Sequence, residues 1–80
     1  MRKNQLTRNE ISLESLAGRI RFARTQKGLT RRELASLLGL TEGAVRFLED
    51  GRSKDLAGRN VLPMADALGV SARWLMTGKS

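Results

Sequence analysis

The chain has 80 residues, with fifteen Lys and Arg against eight Asp and Glu, a formal charge of +7, no Cys, no His and no Tyr. That length is enough for one domain, which buries about 60% of its unfolded surface and so has a thin core. The composition excludes disulfides, thiolate metal sites, histidine acid–base chemistry and any run of apolar residues long enough to span a bilayer, while the excess of base points to a polyanionic partner.

Residues 1–11 are polar and aperiodic and read as a flexible basic arm (Arg2, Lys3, Arg8); residues 12–80 read as the folded domain. The arm either wraps a nucleic-acid duplex or enters its minor groove, or is a disordered tail. It has charge but no apolar stretch behind it, so it does not read as a signal peptide. Leu13, Leu16, Ala17, Ile20 and Ala23 then recur at helical spacing and predict a helix from about Leu13 to Lys27, capped by Ser12 and stopped by Gly28. Thr30-Arg31-Arg32-Glu33 is a Thr-x-x-Glu capping box opening a short second helix, Arg31 to Leu38, which Gly39 ends. Thr41 caps a third helix, about Glu42 to Asp50, with Val45 and Leu48 facing inward and Gly51 closing it. Residues 52–59 form a polar loop. Asn60 is placed to cap a fourth helix, Val61 to Leu68, with Pro63 in its first turn, where a missing N–H costs little. Gly69 ends it, and Ser71 caps a last helix, Ala72 to Thr77, closed by Gly78. With no alternating strand pattern, the fold class is all-α: a compact domain of five helices.

The second and third helices carry the most restrictive spacing. Ala35 is small at their meeting point, Gly39 can adopt the left-handed backbone that redirects the chain, Leu40 plugs the turn, and Val45 and Leu48 pack the third helix inward. This is a helix-turn-helix with one outer face left free. The stretch Leu29-Thr30-Arg31-Arg32-Glu33-Leu34-Ala35-Ser36-Leu37-Leu38-Gly39-Leu40-Thr41, continued by Val45, Leu48, Glu49 and Gly51, resembles the lambdoid phage repressor and Cro family of XRE-like helix-turn-helix proteins. The ending from Leu62-Pro63-Met64-Ala65 through Trp74-Leu75-Met76-Thr77-Gly78 is similar to that family's last two helices. The similarity runs roughly from Leu16 to Gly78 and implies a lambda-repressor-like fold. The chain departs from it at Arg31, where the family usually has Gln, and in a longer loop at 52–59.

Two charges stand on apolar stripes: Arg24, four residues after Ile20, and Glu49, beside Leu48. Unpaired, each would be costly in a core; together they can form a salt bridge tying the first helix to the third, and the resemblance implies the same pair. The other reading is two separate surface charges.

In this architecture the third helix enters the major groove and the second crosses the backbone. The residues expected at base edges are Thr41, Glu42, Gly43 and Arg46, with Phe47 also outward. Arg46 is suited to guanine, because a guanidinium can bond O6 and N7 together, though a phosphate contact or simple solvation would also place it outside. Glu42 either accepts from a cytosine amino group or complements the helix dipole. Gly43 either lets the backbone approach the duplex, or leaves room for a thymine methyl, or is merely tolerated. Arg31, Arg32, Arg52, Lys54 and Arg59 are the expected phosphate contacts, which position a protein without reading sequence.

One domain of this size reads few base pairs, so a homodimer on two half-sites is expected, with Val61, Leu62, Trp74, Leu75 and Met76 at its interface. A tryptophan such as Trp74 is more often a core residue than an interface one. The resulting expectation is a sequence-specific regulator of double-stranded DNA, of the Cro-like repressor kind, acting in the cytoplasm at the nucleoid. No enzymatic activity, cofactor, metal, small-molecule ligand or membrane is implied. The chain has no room for a separate oligomerisation module, which favours a stand-alone regulator over a fragment of a longer repressor. Two other functions compete. An antitoxin would use the same fold to bind a protein toxin and repress its own operon. A basic amphipathic protein of membrane surfaces would prefer anionic vesicles, at the cost of making the turn spacing a coincidence.

Overall fold

The structure, a computed structural model, describes residues 13–52 and 58–79. Five α-helices run through them: α1 (Leu16–Gln26), α2 (Arg31–Leu38), α3 (Glu42–Glu49), α4 (Gly58–Leu68) and α5 (Ala72–Thr77). No strand occurs among the described residues.

Local chemistry explains most of the boundaries. Thr30 Oγ1 accepts from the Glu33 N–H at 3.0 Å while the Glu33 carboxylate accepts from the Thr30 N–H at 2.8 Å, the reciprocal capping box that starts α2. Thr41 and Ser71 cap α3 and α5 through single hydroxyl bonds to Ala44 N–H and Trp74 N–H. At Gly39 the backbone turns left-handed, with φ +69°, and the following Leu40 N–H bonds back to the Ala35 carbonyl at 2.9 Å. That pair of events closes α2 and swings the chain into α3 within three residues.

Four boundaries differ from the sequence expectation, one of them the end of the first helix, which stops at Gln26 with Lys27 as its C-cap. The first helix begins at Leu16, not Leu13, and its cap is Ser15, whose hydroxyl accepts from Gly18 N–H at 3.0 Å. Ser12 lies outside the described residues, and Leu13 sits in a turn, where its carbonyl accepts from the Arg19 guanidinium at 2.9 Å. The fourth helix begins at Gly58 rather than Val61, so Asn60 is inside it and Pro63 is at its sixth residue instead of its first turn. Proline's fixed φ suits a helix, but at this position its missing N–H forfeits an i→i−4 bond and its ring crowds the preceding turn; the helix nevertheless runs through it. The third helix ends at Glu49, with Asp50 as its C-cap.

The core has a simple composition. Ile20, Leu34, Val45, Met64 and Leu75 are each fully buried, one from each helix. Leu16, Ala23, Ala35, Leu48, Ala65 and Leu68 surround them. Ala35 is small at the crossing of α2 and α3, which pack on each other more extensively than any other helix pair, and α1 packs on α3 behind them. Leu75, expected at a dimer interface, belongs to this core and has no exposed surface to offer a partner. The outcome is a rigid base on which α3 presents one face outward.

Candidate nucleic-acid interface

The outward face of α3 follows from its amphipathic period. Val45, Leu48 and Glu49 are buried, whereas Glu42, Gly43, Arg46 and Phe47 are exposed in two pairs one turn apart. Thr41, also exposed, stands at the amino end and spends its hydroxyl on the cap. Arg46 Nη2 approaches Glu42 Oε2 at 3.5 Å, an i,i+4 pair with both side chains about half exposed. Such a pair contributes about 0.3–0.5 kcal/mol and gives way readily to a better partner. The four residues expected at base edges therefore share one continuous surface.

Behind that surface lies an ion cluster. The Glu49 side chain is completely buried. Its Oε2 accepts from Arg24 Nε at 2.6 Å and its Oε1 from Arg24 Nη2 at 3.1 Å, a two-point fork between α1 and α3. Arg24 also donates through Nη1 to the Leu29 carbonyl at 2.8 Å, which fixes the connection into α2. The third member was not foreseen: Arg31 Nε donates to Glu49 Oε1 at 3.1 Å, with its side chain 29% exposed. Arg31 thus spans from a buried carboxylate to solvent at the first turn of α2. Arg32 and Arg52 are exposed beside it in the chain and on the turn after α3 respectively. Lys54 and the Arg59 side chain lie outside the described residues, as does the arm of residues 1–11.

Arg19 is a second buried arginine, and its role was not expected from the sequence. Its Nε donates to the Leu75 carbonyl at 2.7 Å, its Nη2 to the Met76 carbonyl at 3.2 Å and its Nη1 to the Leu13 carbonyl. It closes the C-terminal end of α5, where a positive charge complements the helix dipole, and locks α5 to α1. The signal was available: Arg19 stands three residues after Leu16, on the same stripe that made Arg24 conspicuous.

Among the expected interface residues, Leu62 is 67% exposed, while Val61, Trp74 and Met76 are half-buried against the core. Among the described residues no three His, Cys, Asp or Glu side chains come together to hold a metal, and no helix is long and apolar enough to cross a membrane.

A helix-turn-helix family model matches residues 20–75, which spans α1 to α5 and includes Arg24, Arg31, the turn at Gly39 and Glu49. The chain belongs to the helix-turn-helix family. The HTH-type transcriptional regulator PrtR of Pseudomonas aeruginosa is 31% identical over 70 residues, which is 88% of this chain and 27% of that protein. The chain therefore spans about a quarter of the length of that relative. Among solved structures, the P22 c2 repressor in complex with a synthetic operator superposes with a TM-score of 0.74 at 25% identity, covering 81% of this chain and 97% of that one. The restriction-modification controller protein C.AhdI of Aeromonas hydrophila superposes with a TM-score of 0.70 at 36% identity, covering 79% and 94% of the two chains. The lambda-repressor-like, all-α fold expected from the residues is the one these helix-turn-helix proteins share.

Proposed function

We propose that this helix-turn-helix domain is a Cro-like repressor of phage type that binds a two-fold symmetric operator in double-stranded DNA as a homodimer. The observation that carries the reading is the outer face of α3. It is a polar, exposed surface of Thr41, Glu42, Gly43 and Arg46 on a helix whose opposite face is fully anchored in the core. In the helix-turn-helix geometry that face meets base edges in the major groove. Arg46 would exchange its half-exposed bond with Glu42 for guanine O6 and N7, and Glu42 would be free to accept from a neighbouring cytosine amino group. Arg31, Arg32, Arg52, Lys54 and Arg59 would contact phosphates. For Arg31 that contact falls to the terminal amino groups, since Nε is engaged by Glu49. The excess of base, +7 over the whole chain, supports the same partner.

Dimerisation would use the exposed Leu62 with the neighbouring Val61, Trp74 and Met76. Trp74 also lines, with Phe22 and Val70, an open groove of about 450 Å³ between α1 and the corner joining α4 to α5. That the P22 c2 repressor was solved on an operator is further support for the reading. The deciding experiment is selection of bound sequences from a random duplex pool. The expected product is a pair of half-sites related by a two-fold axis and separated by about 34 Å. Recovery of no preferred duplex at moderate salt would remove the proposal.

A further inference from the structure

The ion cluster behind α3 holds one cation more than its carboxylate needs. Arg24 alone gives Glu49 a two-point fork, from Nε to Oε2 at 2.6 Å and from Nη2 to Oε1 at 3.1 Å. That fork already ties α1 to α3. Arg31 then adds a third bond, from Nε to Oε1 at 3.1 Å. Arginine stays charged in proteins, so two guanidinium groups against one carboxylate leave a positive charge in excess. An uncompensated charge away from water is costly. Nothing in the α1–α3 tie requires it.

The excess falls on the most open member. The Arg31 side chain is 29% exposed, against 11% for Arg24 and none for Glu49. Its Nε is spent on Glu49, and among the described residues neither Nη1 nor Nη2 forms a hydrogen bond. A guanidinium held at Nε still carries two terminal nitrogens side by side in one plane, the fork that meets two oxygens of a phosphate. Clamping an anion with a long, freely rotating side chain costs the entropy of ordering it, and a side chain already held in place loses less. Arg24 completes the arrangement: by matching the carboxylate it leaves the charge of Arg31 for an outside partner.

We propose that Glu49 is a positioning residue for DNA binding: its buried carboxylate sets the Arg31 guanidinium in place before the duplex arrives, so that Nη1 and Nη2 take one backbone phosphate. This role rests on the reading that the duplex lies against α2 and α3. It goes further by giving a part in binding to a side chain that has no exposed surface and touches no DNA. One carboxylate of α3 thus anchors that helix to α1 and sets the phosphate clamp of α2, so the clamp and α3 hold a fixed relation to each other.

The test is a double-mutant cycle on the duplex obtained by selection, with wild type, Glu49→Gln, Arg31→Ala and the double variant compared at a temperature where circular dichroism shows each to be folded. Glu49→Gln keeps the shape of the side chain but removes the charge that holds Arg31. It is expected to weaken binding about 2- to 10-fold, the value of one long side chain ordered in advance, and to cause no further loss once Arg31 is alanine. Equal losses in both backgrounds would make Glu49 purely structural and overturn the proposal. Should Glu49→Gln fail to fold, Arg31→Lys carries the test, because Arg24 still holds Glu49 in it. Lysine keeps the charge and lacks the planar fork, so affinity should fall by a similar factor, and undiminished affinity overturns the proposal. The phosphate itself is located by replacing backbone phosphates singly with neutral methylphosphonates. One replacement should cost the wild type affinity and cost Arg31→Ala nothing. Absence of any such position overturns the clamp while leaving DNA recognition intact. Failure to select any duplex overturns the recognition reading itself, and the clamp with it.

Discussion

Glu49 shows how much one side chain can be asked to do. It is buried without exposed surface and holds two arginines, Arg24 from α1 and Arg31 from α2, against α3. Taking charges out of water is expensive, and the arrangement survives because both carboxylate oxygens are bonded and the arginines bring further partners. Glu49→Leu is therefore expected to destabilise the domain by about 3–5 kcal/mol, because Arg24 is left charged, buried and without its carboxylate. Chemical denaturation would read this as a lower midpoint, and an unchanged midpoint would mean the pair contributes nothing. Arg46 presents the opposite case. Its bond to Glu42 is half exposed, so Arg46→Ala should leave stability nearly unchanged. It should instead relax the sequence preference at one base pair of each half-site by about 1–3 kcal/mol, measured by competition between single-base variants of the selected duplex. A uniform loss on all duplexes would reassign Arg46 to phosphate.

At the level of elements, the turn between α2 and α3 sets the angle at which α3 is presented. Gly39 has φ +69° with open space where a Cβ would go, so the strain on a side chain there is purely one of backbone conformation. Gly39→Ala should cost about 1–2 kcal/mol. In a domain of this size that amounts to a fall in melting temperature of roughly 4–16 °C, readable by circular dichroism. A neutral result would mean the turn can relax into another form. Elements whose ends are built from adjacent residues were legible in the sequence: the capping box of Thr30 and Glu33, the caps at Thr41 and Ser71, and the stop at Gly39. Those decided at a distance were not. Two serines, Ser12 and Ser15, precede apolar residues at similar spacing. What separates them is Arg19 of α1, whose guanidinium donates both to the end of α5 and to the Leu13 carbonyl. The start of α4 is not legible locally, because Asn60 and Pro63 have the pattern of a cap and a first turn, whereas the helix runs back to Gly58. The candidate site was legible in the same uneven way. Arg24 and Glu49 betrayed themselves by standing on apolar stripes. The sharing of Glu49 with Arg31 depends on how α2 crosses α3, which no local pattern records.

For the whole molecule, the exposed charges and the helix packing suggest how binding should respond to solution conditions. Each phosphate contact displaces a condensed counterion, so affinity should fall steeply with salt. Arg31→Ala is expected to weaken binding to every duplex and to flatten the slope of log affinity against log salt by about 0.9 for each phosphate that the protein no longer neutralises. Arg24 still engages Glu49 in that variant, so the fold should persist, and a slope equal to that of wild type would remove Arg31 from the interface. Self-association is testable separately. Leu62 is 67% exposed, so Leu62→Glu should leave the core undisturbed while placing like charges across a two-fold axis. Sedimentation of the protein on its selected duplex should then show one copy bound where wild type binds two. Two copies bound by the variant would move the interface elsewhere.

The core is built from one fully buried side chain per helix, and this has a bearing on how long the protein would persist in a cell. With Ile20, Leu34, Val45, Met64 and Leu75 sharing one interior, no helix can peel away and leave the others a complete one. A protease that nicked the chain beyond Gly69 would remove Leu75, together with the carbonyls that hold Arg19, and α3 would lose its footing without itself being cut. Conversely, anything that clamps α3 protects all five helices at once, so occupancy on a ligand and resistance to degradation should rise and fall together.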